Sequence, residues 1–96
     1  MHFLQKVQAA DVKLEDVVAK MMADPNFLRA LPDMIIAAKA AIVVGQKQDK
    51  PDMVKFNSLA LAYLTAIQEK DAGLANQAAT ALVAAGHGAA FGLKKD

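Results

Sequence analysis

Each of the three prolines in this chain stands beside an aspartate, and these pairs constrain where helices can start and stop. Proline disfavours helical geometry in the residue before it and fits the first turn of a new helix. An aspartate placed just ahead can accept hydrogen bonds from first-turn amides. Asp24-Pro25 therefore ends one segment and caps another, and Leu31-Pro32-Asp33 repeats the signal seven residues on. This pattern predicts a short helical turn over Asn26 to Ala30, then a longer helix from Pro32 to Val44. Gly45 falls where a left-handed C-cap belongs. After the polar stretch Gln46 to Lys50, Asp49-Lys50-Pro51-Asp52 opens a further helix, with Asp49 as the capping aspartate.

Apolar spacing fills in the segments between these signals. Phe3, Val7, Ala10, Leu14, Val17 and Met21 alternate steps of four and three, the seam of a helix over about Phe3 to Ala23. Asp11 precedes a run of helix formers, which favours splitting that segment near Ala9–Ala10. Leu28, Leu31, Ile35, Ala38 and Ile42 share a face. Met53, Phe56, Ala60, Tyr63 and Ile67 form another stripe, widened by Leu59 and Leu64. After Asp71-Ala72-Gly73, Leu74, Ala78, Ala81, Leu82 and Ala85 mark a last helix ending at Gly86 or Gly88. No β-branched run alternates between hairpin turns. The expectation is an all-α fold: a compact bundle of four main helices, or five with the split, with short loops and mostly antiparallel neighbours. Residues 1–96 form one helical domain, with 87–96 as a partly flexible C-terminal tail.

Size and composition limit the core. A chain of 96 residues buries about 60–65% of its unfolded surface. It is 55% apolar, but only 5% aromatic, and much of the apolar share is alanine. Alanine favours helix yet contributes little buried area, so association would help by covering what one subunit leaves exposed. Eleven basic and ten acidic residues leave a net charge of +1, unlike the basic excess of a dedicated nucleic-acid or anionic-membrane binder. Without cysteine, disulfides, thiol chemistry and Cys-ligated metal are excluded. Met-His-Phe-Leu-Gln-Lys does not resemble a signal peptide. The uncharged span Ala72 to Leu93 carries too many polar residues and glycines for a membrane helix. A cytoplasmic protein, or one assembled into a larger particle, is expected.

Chemistry-bearing residues are sparse. His2 and His87 lie at opposite ends, and the acids nearest His87 in sequence, Asp71 and Asp96, stand sixteen and nine residues away. Glu15 and Glu69 are the only glutamates, so the Glu-x-x-His pairs of a bundle di-metal site are missing. Asp24, Asp33, Asp49, Asp52 and Asp71 stand at helix starts or loops, where capping accounts for them. Gly86-His87-Gly88 follows a helix and not a strand, the wrong context for a phosphate loop. Ser58, the sole serine, sits mid-helix. No catalytic residue, cofactor-binding residue or metal ligand is expected, and the chain does not read as an enzyme.

Three features invite a further reading. Ala37 to Gly45 echoes Ala78 to Gly86 at an offset of 41, as alanine-rich helices ending in glycine do without any duplication. Phe56-x-x-Leu59-Ala60-x-x-Tyr63 resembles the first helix of a tetratricopeptide repeat, with Ala72 and Ala79 near that repeat's later small positions. The resemblance covers about a third of the chain. Asn76 stands where a large apolar residue is wanted, and there is no second copy. Glu69 to Gly73 also suits the turn of a helix-turn-helix. The following helix offers Asn76, Gln77 and Thr80, but no cation before Lys94.

The leading expectation is a small non-enzymatic interaction or assembly module working through apolar helix faces: an assembly factor, a virion or secretion component, or an inhibitor. Its partner is another protein or itself, as a homo-oligomer, with nucleic acid disfavoured and no membrane insertion. Candidate interface residues are Phe3, Val7, Lys39, Phe91 and Leu93. Lys39 alone interrupts the apolar stretch Met34 to Val44, and its stem can cover alanine while its amine stays in water. The alternatives are a DNA-associated regulator using the 53–86 hairpin, and an enzyme subunit completed by another chain.

Overall fold

Asp24 is the whole connection between the first two helices of the computed structural model, which describes residues 13–93. It holds extended geometry (φ −81°, ψ 113°), as a residue before proline prefers. Its amide donates back to the Met21 carbonyl, ending α1 (Leu14–Ala23). Its side chain accepts from the Asn26 and Phe27 amides at 2.9 and 3.4 Å, starting α2 (Pro25–Lys47). Then come α3 (Pro51–Gln68), α4 (Ala72–Ala84) and a 3-10 turn over Gly88–Phe91. The described residues form an all-α four-helix bundle with antiparallel neighbours. α3 packs between α2 and α4, and α1 closes the bundle against α4 and α2. Phe3, Val7 and the Asp11 cap lie outside the described residues.

The short turn expected over Asn26 to Ala30 merges with the helix after it. α2 is continuous for 23 residues and carries Pro32 in its interior. Proline's fixed φ is itself helical, so its main local cost is the hydrogen bond the Leu28 carbonyl loses. Leu28 and Pro32 are both exposed, so water can serve that carbonyl. On the opposite face the inward stripe Phe27, Leu31, Ile35, Ala38 passes the proline unbroken.

Helix ends also depart from the glycine signals. Gly45 lies inside α2 and is buried, while the left-handed residue is Asp49 (φ 55°). The Lys50 amide reaches the Gly45 carbonyl at 2.8 Å and the Asp49 amide reaches that of Gln46, a Schellman reversal. Asp49 is thus not a cap: Lys50 holds the N-cap position of α3 without a side-chain hydrogen bond. At the next reversal the left-handed residue is Lys70 (φ 61°), where the Asp71 amide bonds the Ala66 carbonyl and the Lys70 amide that of Ile67. Asp71 then caps α4 by accepting from the Leu74 amide. Glycine takes the position at the end of α4, at Gly86 (φ 83°), and again after the 3-10 turn, at Gly92 (φ 69°). The echoed segments therefore differ: Gly86 terminates a helix, whereas Gly45 allows α2 and α3 to approach. A Cβ on Gly45 would lie 2.9 Å from Val54 Cγ2.

The α4 stripe is displaced too. Ala75, Ala79 and Leu82 are buried, whereas Leu74 is 49% exposed. α4 is apolar on most of its circumference, so spacing alone does not select its inner face. Small side chains facing α3 permit closer approach than Leu74 would. The core gathers Val18, Leu31, Ile35, Tyr63, Leu64, Ala66, Ile67, Ala75, Ala79, Leu82 and Leu93. Leu93, expected in a partly flexible tail, is among its most buried members. Its amide returns to the Gly88 carbonyl at 2.8 Å, which folds residues 88–93 inward.

Left-handed geometry costs a side-chain-bearing residue roughly 1–2 kcal/mol, and glycine's greater unfolded-state freedom offsets part of the relief. Lys70→Gly is expected to stabilise the protein by about 0.5–1 kcal/mol on that difference. Gly45→Ala is expected to destabilise it by about 1–3 kcal/mol through overpacking against Val54. Thermal melts of both variants check the signs; a stabilised Gly45→Ala would contradict the close approach.

Candidate functional site

Two places depart from an ordinary helix bundle: the outer face of α2 and an aromatic cluster under the C-terminal turn. α2 would be about 35 Å long at 1.5 Å per residue, and α1 only about 15 Å. Tied by the single connector Asp24, α1 can flank only the first part of α2. Leu28, Pro32, Ile36 and Val43 follow one another on the side away from the buried stripe. Ile36 is 65% exposed and Val43 48%, and Leu28 and Val44 also lie open to solvent. Lys39 is exposed within this strip, one turn from Ile36 and one from Val43.

That strip was only partly evident from residue types. The apolar run Met34 to Val44 drew attention to Lys39, but its larger meaning is geometric. A helix apolar on most sides has more apolar surface than its neighbours here cover. Ile36 and Val43 carry the excess, and neither was a candidate interface residue.

Tyr63 anchors the second place. It is 0% exposed, and its hydroxyl donates to Met21 Sδ at 3.1 Å, joining α3 to α1. Among the described residues this is the one side-chain hydrogen bond between distant elements; the others are local in sequence. The Tyr63 ring lies 5.5 Å from Phe91, tilted by 55°. Phe91 stacks on Phe56 at 6.4 Å, and His87 meets Phe56 edge-on at 5.0 Å. Such pairs add about 0.5–1.5 kcal/mol each beyond the area they bury. Phe91, a candidate partner contact, is thus half-buried as the clasp of the C-terminal turn. Leu93, at 1% exposure, belongs to the interior and offers no docking surface. His87 serves in the same aromatic packing.

Of the α4 polar residues, Gln77 and Thr80 are exposed and Asn76 is not. Asn76 is half-buried, with Oδ1 shielded and without a protein partner. The Thr80 hydroxyl donates to the Asn76 carbonyl at 2.8 Å, and Gln77 is exposed. A shallow open hollow of about 370 Å³ at the α2–α3 turn is lined by Gly45, Asp49, Lys50, Val54 and Lys55, among others. Among the described residues, no three His, Asp or Glu side chains are grouped to hold a metal ion. No described helix is long and apolar enough to cross a membrane. Comparison with known proteins finds no match: no family model, curated protein or solved structure is significantly similar to the chain.

Burial disfavours the Tyr63 phenolate and pushes its pKa from 10.0 up to about 12. Because the folded value is raised, this contribution to stability is full below pH 10 and is lost as pH rises toward about 12. Tyr63 is the only tyrosine and there is no tryptophan, so absorbance reports this one group. An alkaline titration of the folded protein is expected to ionise Tyr63 near pH 12, returning to about 10 in denaturant. A folded-state midpoint near 10 would contradict the buried phenol.

Proposed function

We propose that this protein is a small interaction or assembly module, not an enzyme, that docks through the outer face of α2. The observation that carries the reading is the exposed strip Leu28, Ile36 and Val43. Scattered single apolar residues are common on protein surfaces, but a strip aligned along one helix is a helix-docking surface in form. Its spacing favours a second copy of the chain as the occupant. Ile36 stands eight residues after Leu28 and seven before Val43. Antiparallel pairing about a two-fold axis near Ile36 therefore sets Leu28 of one copy opposite Val43 of the other. Such a contact is self-complementary, as two-fold dimers require. Lys39 is well placed to lay its stem along the seam and keep its amine in water.

The same pairing would relieve the weakness of an alanine-rich core by covering apolar surface that the monomer leaves wet. A working place in the cytoplasm or within a larger particle belongs to this proposal, since nothing in the cysteine-free chain calls for an oxidising compartment.

Sedimentation equilibrium across a wide concentration range tests the reading. Wild type is expected to dimerise, and Ile36→Glu with Val43→Glu to be monomeric with an unchanged melt at low concentration. A wild type that stays monomeric, or a double variant that dimerises as well as wild type, overturns it. Retardation of duplex DNA at low salt would favour the regulator reading instead.

A further inference from the structure

We propose that the Met21 thioether is a reversible oxidation site, with peroxide as the oxidant, and that forming the sulfoxide loosens α1 from the bundle. This inference stands apart from the α2 face and rests on the contact between Met21 and Tyr63. Met21 is partly exposed, so a small oxidant can approach the side chain from solvent. On its inner side Sδ lies 3.1 Å from the buried Tyr63 hydroxyl, which donates to it. In the reaction a sulfur lone pair attacks one peroxide oxygen, forming the S–O bond as the O–O bond breaks. The departing hydroxide takes the proton of the transferred oxygen and leaves as water. Sulfur is oxidised by two electrons and the peroxide is reduced by two.

The product does not fit the contact as it stands. A sulfoxide oxygen is a far stronger acceptor than a thioether, and a hydrogen bond between two oxygens needs about 2.5–3.0 Å of its own. That span plus an S–O bond exceeds the present 3.1 Å between Oη and Sδ. Either the sulfoxide captures Tyr63 and moves the Met21 side chain outward, or it turns toward water and leaves the hydroxyl unpaired. Both outcomes weaken the same seam. α1 is poorly equipped to absorb the loss, because it has ten residues and no side-chain cap at Lys13. A helix this short is marginal in water without its packing partners. Val18 is its one fully buried residue; Leu14, Val17, Met21 and Met22 are only partly buried. Met22 also occurs in α1, but Tyr63 donates to Met21, so the effect belongs to Met21.

Hydrogen peroxide treatment followed by peptide mass mapping and amide exchange over residues 14–23 provides the test. The expected result is one added oxygen on Met21 and exchange over α1 roughly ten- to a hundredfold faster, the scale of one misplaced polar group in a buried contact. Methionine sulfoxide reductase should reverse both. In Met21→Leu, compared with and without peroxide, exchange over α1 should no longer respond. Three results overturn the proposal: Met21 left unoxidised at peroxide levels that convert Met22, Met34 and Met53; Met21 oxidised with α1 exchange unchanged; or loosening that persists in Met21→Leu.

Discussion

A phenol with no exposed surface must place its hydroxyl somewhere, and in this bundle the acceptor is a thioether. Leaving a buried hydroxyl unpaired costs about 1–3 kcal/mol, so Met21 must lie where Tyr63 points. That requirement ties α1 to α3. The same ring meets Phe91, so the C-terminal turn is tied to the same residue. Among the described residues no charged side chain is buried. Cohesion comes from apolar contact, with Tyr63 linking elements that share no loop.

Alanine and glycine set the distances around that residue. Ala60 and Ala66 on α3, with Ala75 and Ala79 on α4, are buried, and Gly45 faces Val54 across the α2–α3 seam. Small residues let helices approach closely, but they leave less apolar area to stabilise the fold. The packing resolves this by concentrating large side chains at one place and leaving others, such as Ile36 and Val43, outside. The proposed dimer face and the thin core share one cause.

Helix number and class were legible because proline, aspartate and three-to-four spacing act locally. Asp24 and Asp71 cap the helices their positions imply. The errors lie where tertiary packing overrides local preference. Pro32 remains within a helix because the stripe from Leu31 to Ile35 is buried on the other side. Asp49 and Lys70 take left-handed turns that glycine would take more easily; aspartate tolerates that geometry better than most residues, but nothing in a lysine announces it. On α4, Ala75 was hidden by Leu74 beside it, because hydrophobicity does not encode how closely two backbones approach. Phe91 and Leu93 stand out as large apolar residues in an expected tail and read as partner contacts; both pack inward on the chain's own core. The exposed strip on α2 was written in the apolar run around Lys39, but which side of it stays wet depends on the short reach of α1.

If Tyr63 joins the elements into one unit, its surroundings and the helices should be lost together. Tyr63 is the sole tyrosine in a chain without tryptophan, so its fluorescence reports that junction while far-UV circular dichroism reports all helices. Denaturant unfolding followed by both signals is the most direct test. Coincident midpoints and slopes are predicted, as for a single cooperative transition. A fluorescence change that precedes the loss of helix would show that the bundle survives without the Tyr63 junction, and would contradict the account.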